Sequence, residues 1–283
     1  VETLLSEGAD RYAQSMHWPG DAPIWLIGCG NMAGAMLRRW LEAGLDPSAV
    51  TVIRPSGAAP APGIRTLTGL PSGEKPPRLL LLGVKPQKLD EVAGEVGAAI
   101  GPDTLLVSIL AGTELAALRQ RFPSAGAVVR AMPNTPVALG RGVTLLHGDA
   151  GSLKADLEAL LAPLGLTEWL DDEAQFGIAS ALTASGPAFV FRFIAALARA
   201  AAELGLDEAQ SLRLASAMVD GAAGLALASG EQPDQLAERV ASAGGMTRKG
   251  LDVLDEEDAL ISLVTRALAA SERRARELAA ETR

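Results

Sequence analysis

Ile24-Trp25-Leu26-Ile27-Gly28-Cys29-Gly30-Asn31-Met32-Ala33-Gly34 is the stretch on which the fold turns. Four consecutive apolar residues read as a strand covered on both faces. Gly28 permits a tight turn, Gly30 lets the backbone approach a pyrophosphate, and small Ala33 lets the following helix pack close to the strand. Ala35–Gly44 then continues at helical spacing. Strand, glycine-rich turn and helix in this order form a dinucleotide site, because the helix start offers unpaired N–H groups and a partial positive charge to phosphates. The alternative is a plain tight turn.

Working outward, the next apolar run, Val50–Ile53, ends in Arg54-Pro55-Ser56. An NAD site carries an acid near this point to accept from the ribose 2′-OH. None is present. Arg54 can clamp a 2′-phosphate and Ser56 can donate to it, so NADPH is the expected cofactor and NADH a weaker one. A solvated loop role for Arg54 stays open.

Further apolar runs follow at Leu79–Val84, Thr104–Ile109, Ala127–Arg130, Val143–Leu146 and Thr167–Leu170, alternating with helical patterns. This predicts an α/β fold, an N-terminal Rossmann-type doubly wound parallel sheet over residues 23–172. Pro55–Pro77 is dense in Pro and Gly and is expected to be a loop with little helix. Beyond residue 172 the character changes. Ala188–Leu204, Asp207–Ser229 and Ala259–Ala280 are rich in Ala and Leu at helical spacing, with Asp207 a good N-cap and Glu231-Gln232-Pro233 marking an end. Leu197, Ala201, Leu212, Ala215, Val219 and Ala223 would overfill a lone three-helix core, so residues 173–283 read as an all-α dimerisation domain, with an ordinary hydrophobic bundle as the alternative. Residues 1–22 read as an N-terminal extension, without the apolar segment of a secretory signal.

Composition narrows the function. The chain has 283 residues, 48 % of them hydrophobic, and a formal net charge of −9. That charge, with 4 % aromatic residues, argues against nucleic acid as a partner. The single cysteine, Cys29, excludes an intrachain disulfide and fits the cytoplasm. With His17 and His147 as the only histidines, no usual metal site is expected. No run of consecutive apolar residues is long enough to span a bilayer, so no membrane partner is expected.

Six segments taken in order resemble the pyrroline-5-carboxylate reductase family. They are Gly28-Cys29-Gly30-Asn31-Met32, Gly83-Val84-Lys85-Pro86, Ser108-Ile109-Leu110-Ala111-Gly112, Arg130-Ala131-Met132-Pro133-Asn134-Thr135-Pro136, Ser185-Gly186-Pro187-Ala188-Phe189 and Ser242-Ala243-Gly244-Gly245-Met246-Thr247. The resemblance runs from about Ile24 to Leu278. It implies NADPH-dependent reduction of the C=N bond of a cyclic imino acid, 1-pyrroline-5-carboxylate, to L-proline. It also implies a homodimer, larger rings of dimers, and an active site between the cofactor domain and helices that include the partner's.

The site residues divide accordingly. Gly28, Cys29, Gly30, Asn31, Met32, Ala33, Arg54 and Ser56 belong to the cofactor turn and its ribose end. Val84, Lys85, Pro86, Ala111 and Asn134 follow central strands, where open α/β sheets bind ligands. Asn134 is read as a hydrogen-bond partner of the ribose or carboxamide, or as an Asx-type turn. Gly245, Met246 and Thr247 open a helix suited to a carboxylate, and the resemblance makes Thr247 the residue that orients the imine. It also places Glu173 and Ser185 near the substrate, with an exposed Glu and a helix entry as the alternatives. His147 is read as a surface residue. Departures from the family pattern, among them Phe189 for Tyr, Ala243 for Pro, Gly224 for Lys and the charged Arg248-Lys249, lie in the helical half. They keep open a larger or more anionic imine and a catalytically silent NADP-binding dimer; a 3-hydroxyacid dehydrogenase of the same two-domain plan is the other alternative, against which Ala188–Ala202 offers Arg192 and Arg199 but no Lys.

Overall fold

In the computed structural model the described residues are Trp18 and residues 23–281. The predicted extension over 1–22 therefore lies outside them, apart from buried Trp18. The described residues divide into two compact units, Trp18 and residues 23–184 with 271–281, and residues 185–270.

The first unit holds eight strands: β1 (Ile24–Ile27), β2 (Val50–Ile53), β3 (Arg65–Leu67), β4 (Leu79–Leu82), β5 (Leu105–Ser108), β6 (Ala127–Pro133), β7 (Gly142–Asp149) and β8 (Gly165–Trp169). Their order across the sheet is β3-β2-β1-β4-β5-β6-β7-β8. Strand order reverses between β1 and β4, which run parallel and in register, Ile27 opposite Leu82. This is the switch point at which doubly wound sheets open a crevice. The helices are α1 (Asn31–Glu42), α2 (Leu89–Val96), α3 (Leu115–Arg121) and α4 (Lys154–Leu161).

The fully apolar strands are explained by two cores. Ile24, Leu26, Leu79 and Leu81 pack on one face with Ala33, Met36, Leu37 and Trp40 of α1. Trp25, Ile27, Leu80 and Leu82 pack on the other with Leu89, Val92 and Val96 of α2. Successive side chains alternate between faces, so a strand covered on both must be apolar throughout.

Two features depart from the sequence reading. The Pro/Gly-dense stretch lacks helix, as expected, yet contains the short edge strand β3, paired to β2. The sheet is also not wholly parallel, since β7 runs antiparallel to β6. The link between them, residues 134–141, holds a 3-10 turn at Thr135–Leu139 closed by left-handed Gly140. It is too short for a parallel crossover. The return to parallel pairing at β8 uses α4 as its crossover.

The helical elements are α5 (Glu173–Glu203), α6 (Glu208–Ser229), α7 (Pro233–Val240), α8 (Met246–Asp255) and α9 (Ala259–Glu281). Asp207 caps α6 by accepting from the Gln210 N–H, as predicted. That helix stops at left-handed Gly230, three residues before Pro233, which opens α7 instead. Helix α5 starts at Glu173 rather than Ala188, so the Ser185-Gly186-Pro187 segment is interior to a helix, not its entry. Helices α5 and α6 are long and apolar enough to cross a bilayer, with mean hydropathy of 1.5 and 1.2 over their most apolar windows. A search for unbroken apolar runs misses this, because scattered small and polar residues interrupt them. Phe191, Leu214, Leu225 and Leu227 stand exposed on the single chain.

Gly165 tests the β7–β8 register. Its φ is +126°, and an added Cβ would stand 2.2 Å from the Gly142 carbonyl oxygen. Gly165→Ala is expected to lower stability by about 2–4 kcal/mol, read as a fall in the urea midpoint at unchanged slope.

Candidate active site

Three backbone segments meet at the switch point. An added Cβ on Gly28, whose φ is +79°, would stand 2.9 Å from both the Gly83 carbonyl oxygen and Val84 Cγ1. One on Gly83 would stand 3.0 Å from Ala33 Cβ. The turn after β1, the loop after β4 and the first turn of α1 are thus packed as closely as glycines allow. The Gly28 N–H donates to Ile53 O and the Gly83 N–H to Ile27 O, tying the turn to β2 and β4.

Gly30 is the N-cap of α1, and nothing lies within 4 Å of the place its Cβ would take. No side chain caps the helix, and its first turn carries no acid. The leading N–H groups are therefore free for an anion, and the dipole favours one there. This cradle fits the phosphates of a dinucleotide. Asn31 is exposed, Met32 half-buried, and Cys29 and Ala33 buried. Burial pushes the Cys29 thiol above its ordinary value, while the charges of Arg54 and Arg38 pull the other way. At the end of β2 the Arg54 N–H donates to Leu67 O, and a tight turn returns the Gly57 N–H to Arg54 O. Exposed Ser56 accepts from the Ala58 N–H through Oγ. Val84 is half-buried and Lys85 exposed, leading into a 3-10 turn at Pro86–Lys88. Ala111 is exposed beside Gly112, which lies against the backbone of Leu278 and Ala279 in α9.

Asn134 requires a correction. Its carboxamide, expected to reach the cofactor, points into the protein. Oδ1 accepts from the Val143 N–H at 2.8 Å and Nδ2 donates to the Thr183 carbonyl at 3.0 Å. The reason lies four residues beyond Thr183. Pro187 has no N–H, so the Thr183 carbonyl lacks its helical partner. Asn134 supplies the missing donor. The turn after β6 is thereby hydrogen-bonded to α5 at Thr183.

Glu173 and His147 also differ from expectation. Glu173, at the first turn of α5, accepts from the Leu115 N–H at 2.7 Å and forms an ion pair with Arg130 of β6. Arg130 is buried and lies over the Phe176 ring, 4.3 Å from its centroid. Burial lowers the Arg130 pKa, and the Glu173 and Glu114 carboxylates oppose that shift. His147 is buried rather than superficial. Its Nδ1 pairs with Leu170 O at 2.8 Å, and Nε2 lies 4.0 Å from Glu173. Glu173 thus joins β6, α3 and α5 in place of standing free for a substrate. An Arg inside an otherwise apolar strand and an acid opening a long helix were the sequence signals for this pair.

In the helical unit Gly245 is the N-cap of α8, without a side-chain cap. Its Cβ would stand 2.4 Å from Ser242 Oγ, and Gly244 has φ +72°. The two glycines fold the chain so that the N–H groups of Met246 and Thr247 lead the helix. Met246 is 92 % exposed, and Thr247 and Ser185 are half-buried. Arg248 pairs with Glu238, Asp252 and Asp255, and Lys249 with Asp252. These cations are neutralised within the protein.

Asn134→Ala is expected to cost about 1–3 kcal/mol by orphaning the partly buried Thr183 carbonyl and the Val143 N–H. The loss should shrink in a Pro187→Ala background, where the helix supplies its own N–H; equal losses in a double-mutant cycle of denaturation midpoints would refute the coupling. Glu173→Ala should cost about 2–3 kcal/mol, because a buried guanidinium loses its counter-charge. Combining it with Arg130→Met should recover part of that loss in the same measurement.

Comparison with known proteins covers both halves of the chain. Residues 173–278 match the pyrroline-5-carboxylate reductase dimerisation family, and residues 23–112 match a family described as NADP oxidoreductase, coenzyme F420-dependent. Pyrroline-5-carboxylate reductase of Pseudomonas aeruginosa is 33 % identical over 264 residues, covering 90 % of this chain and 96 % of its own. That of Escherichia coli is 31 % identical over 262 residues, covering 88 % and 97 %. The pyrroline-5-carboxylate reductase structure from Coxiella burnetii superposes with TM-score 0.83 at 30 % identity, covering 91 % of this chain and 98 % of its own. With relatives this similar along nearly their whole length, the chain belongs to the pyrroline-5-carboxylate reductase family.

Proposed function

We propose that this chain reduces the C=N bond of 1-pyrroline-5-carboxylate with NADPH to give L-proline. The observation that carries the reading is the full-length match to reductases of that name, spanning the phosphate cradle and the helical unit together. Gly28, Cys29, Gly30, Asn31, Met32 and Ala33 would hold the pyrophosphate. Arg54 and Ser56 would take the ribose 2′-phosphate. Val84, Lys85, Pro86 and Ala111 would form the wall beside the nicotinamide. When bound, the cofactor supplies hydride to the imine carbon.

The remaining work falls to this chain's own groups. The N–H groups of Met246 and Thr247 suit the substrate carboxylate, with Gly245, whose own N–H donates to Ser242 O, forming the turn before them and Ser185 assisting. The Thr247 hydroxyl orients the ring nitrogen. A protonated cyclic imine already carries its proton, so orientation and desolvation suffice without a dedicated general acid. Asn134 and Glu173 act at one remove, by holding the β6–β7 turn and α5 in place.

A second copy of the chain is the partner, and the apolar side chains exposed on α5 and α6 are the surface it covers instead of lipid. Rings of such dimers belong to the same reading and are read out by light scattering. The cytoplasm suits a chain with one reduced, buried thiol. Engagement of Arg248 and Lys249 by neighbouring acids removes the argument for a more anionic substrate. A 3-hydroxyacid dehydrogenase is disfavoured because α5 carries Arg192 and Arg199 but no Lys as acid/base.

The test is loss of NADPH absorbance with synthetic pyrroline-5-carboxylate, beside NADH and a Thr247→Ala variant. Turnover that prefers NADPH and falls about a hundredfold in the variant is expected. Tight NADPH binding with no turnover on this or other cyclic imines would instead establish a silent dimer.

A further inference from the structure

Helix α1 carries two successive arginines with different fates. Arg39 donates through Nε to Pro163 O at 3.0 Å and pairs with Glu42. Arg38 is exposed and has no acidic partner among the described residues. Helical side chains lean toward the N-terminus, so a residue at i+4 covers the position one turn earlier. Here that position is Gly34, where no side chain intervenes. Arg38 Nη1 lies 3.5 Å from the point a Gly34 Cβ would occupy, and Cys29 Sγ lies 3.8 Å from the same point. The guanidinium is thus folded back toward the glycine-rich turn. Arg54 follows β2, whose last residue, Ile53, is in register with Ile27 at the end of β1. Both cations are close enough to Cys29 to favour its thiolate. Two cations that both act on Cys29 set positive charge beside the anion cradle of a chain whose net charge is −9, and so favour an anionic ligand there.

We propose that Arg38 is a second ligand of the cofactor's ribose 2′-phosphate and, together with Arg54, determines preference for NADPH over NADH. This rests on the NADPH-dependent reading above. Arg54 alone leaves a doubly charged phosphate half-neutralised at the edge of the sheet. Arg38 approaches from the helix side and supplies a second set of charge-assisted donors. Gly34 keeps that path open.

The experiment measures binding to the full-length chain by titration calorimetry, with 2′,5′-ADP and 5′-AMP as probes differing only in the 2′-phosphate. The unaltered chain is expected to prefer 2′,5′-ADP, and Arg38→Gln to reduce that preference about tenfold to a hundredfold. Arg39→Gln, which removes a neighbouring charge turned elsewhere, is expected to leave the ratio unchanged. Circular dichroism confirms that each variant is folded. An unaltered ratio in Arg38→Gln, with the unaltered chain still preferring 2′,5′-ADP, overturns the role of Arg38 alone. Equal falls in both arginine variants would reduce it to general surface charge and overturn it as well. No preference in the unaltered chain would overturn the NADPH reading and this inference together.

Discussion

The close approach of Gly28, Gly83 and Ala33 is the constraint on which the cofactor half of the molecule depends. Strands β1 and β4 are neighbours across the switch point, and the turns leaving them must pass within van der Waals contact. A side chain at Gly28 would strike the backbone after β4, and one at Gly83 would strike α1. Because none is present, α1 starts directly above the sheet with its leading N–H groups uncapped. The anion cradle is therefore a consequence of packing. Loop flexibility has no part in it.

A second tie joins the sheet to the long helix α5. Proline in a helix interior leaves a carbonyl unpaired four residues earlier, and a buried unpaired carbonyl is costly. Asn134 removes that cost at Thr183 while its other end fixes Val143 across the β6–β7 turn. The Arg130–Glu173 pair anchors the same helix at its first turn, and the Leu115 N–H draws the start of α3 into that contact. Polar side chains that read in sequence as ligand-facing are thus the fasteners between elements. Two helix starts, at Asn31 and at Met246, leave leading backbone N–H groups without a side-chain cap.

Electrostatics follow the same division of labour. Several arginines sit in ion pairs, Arg65 with Glu74, Arg121 with Asp90, and Arg248 with three acids. Exposed pairs of this kind add little stability. Arg38 and Arg54, without an acidic partner among the described residues, are set apart by their place near Cys29 of the cradle.

The dinucleotide half was legible in the sequence because its determinants are local. Apolar runs, a Gly-x-Gly turn and a following helix all act within a few residues, and β1 and β2 fall where the pattern put them. The missing acid after Ile53 spoke for NADPH for the same reason. The start of α5 was misplaced because Ser185-Gly186-Pro187 looks like a helix entry unless a donor 53 residues upstream of Pro187 is known to rescue Thr183. The antiparallel β7, the inward turn of Asn134, the burial of His147 and the pairing of Glu173 with Arg130 were likewise beyond local reading. Each depends on which distant backbone or charge lies opposite, and only the folded sheet decides that. Sequence by itself determined the elements and the chemistry of the cradle. Tertiary structure decided which polar side chains face a ligand and which hold the elements together, because a hydrogen bond or a buried charge is satisfied by proximity in space.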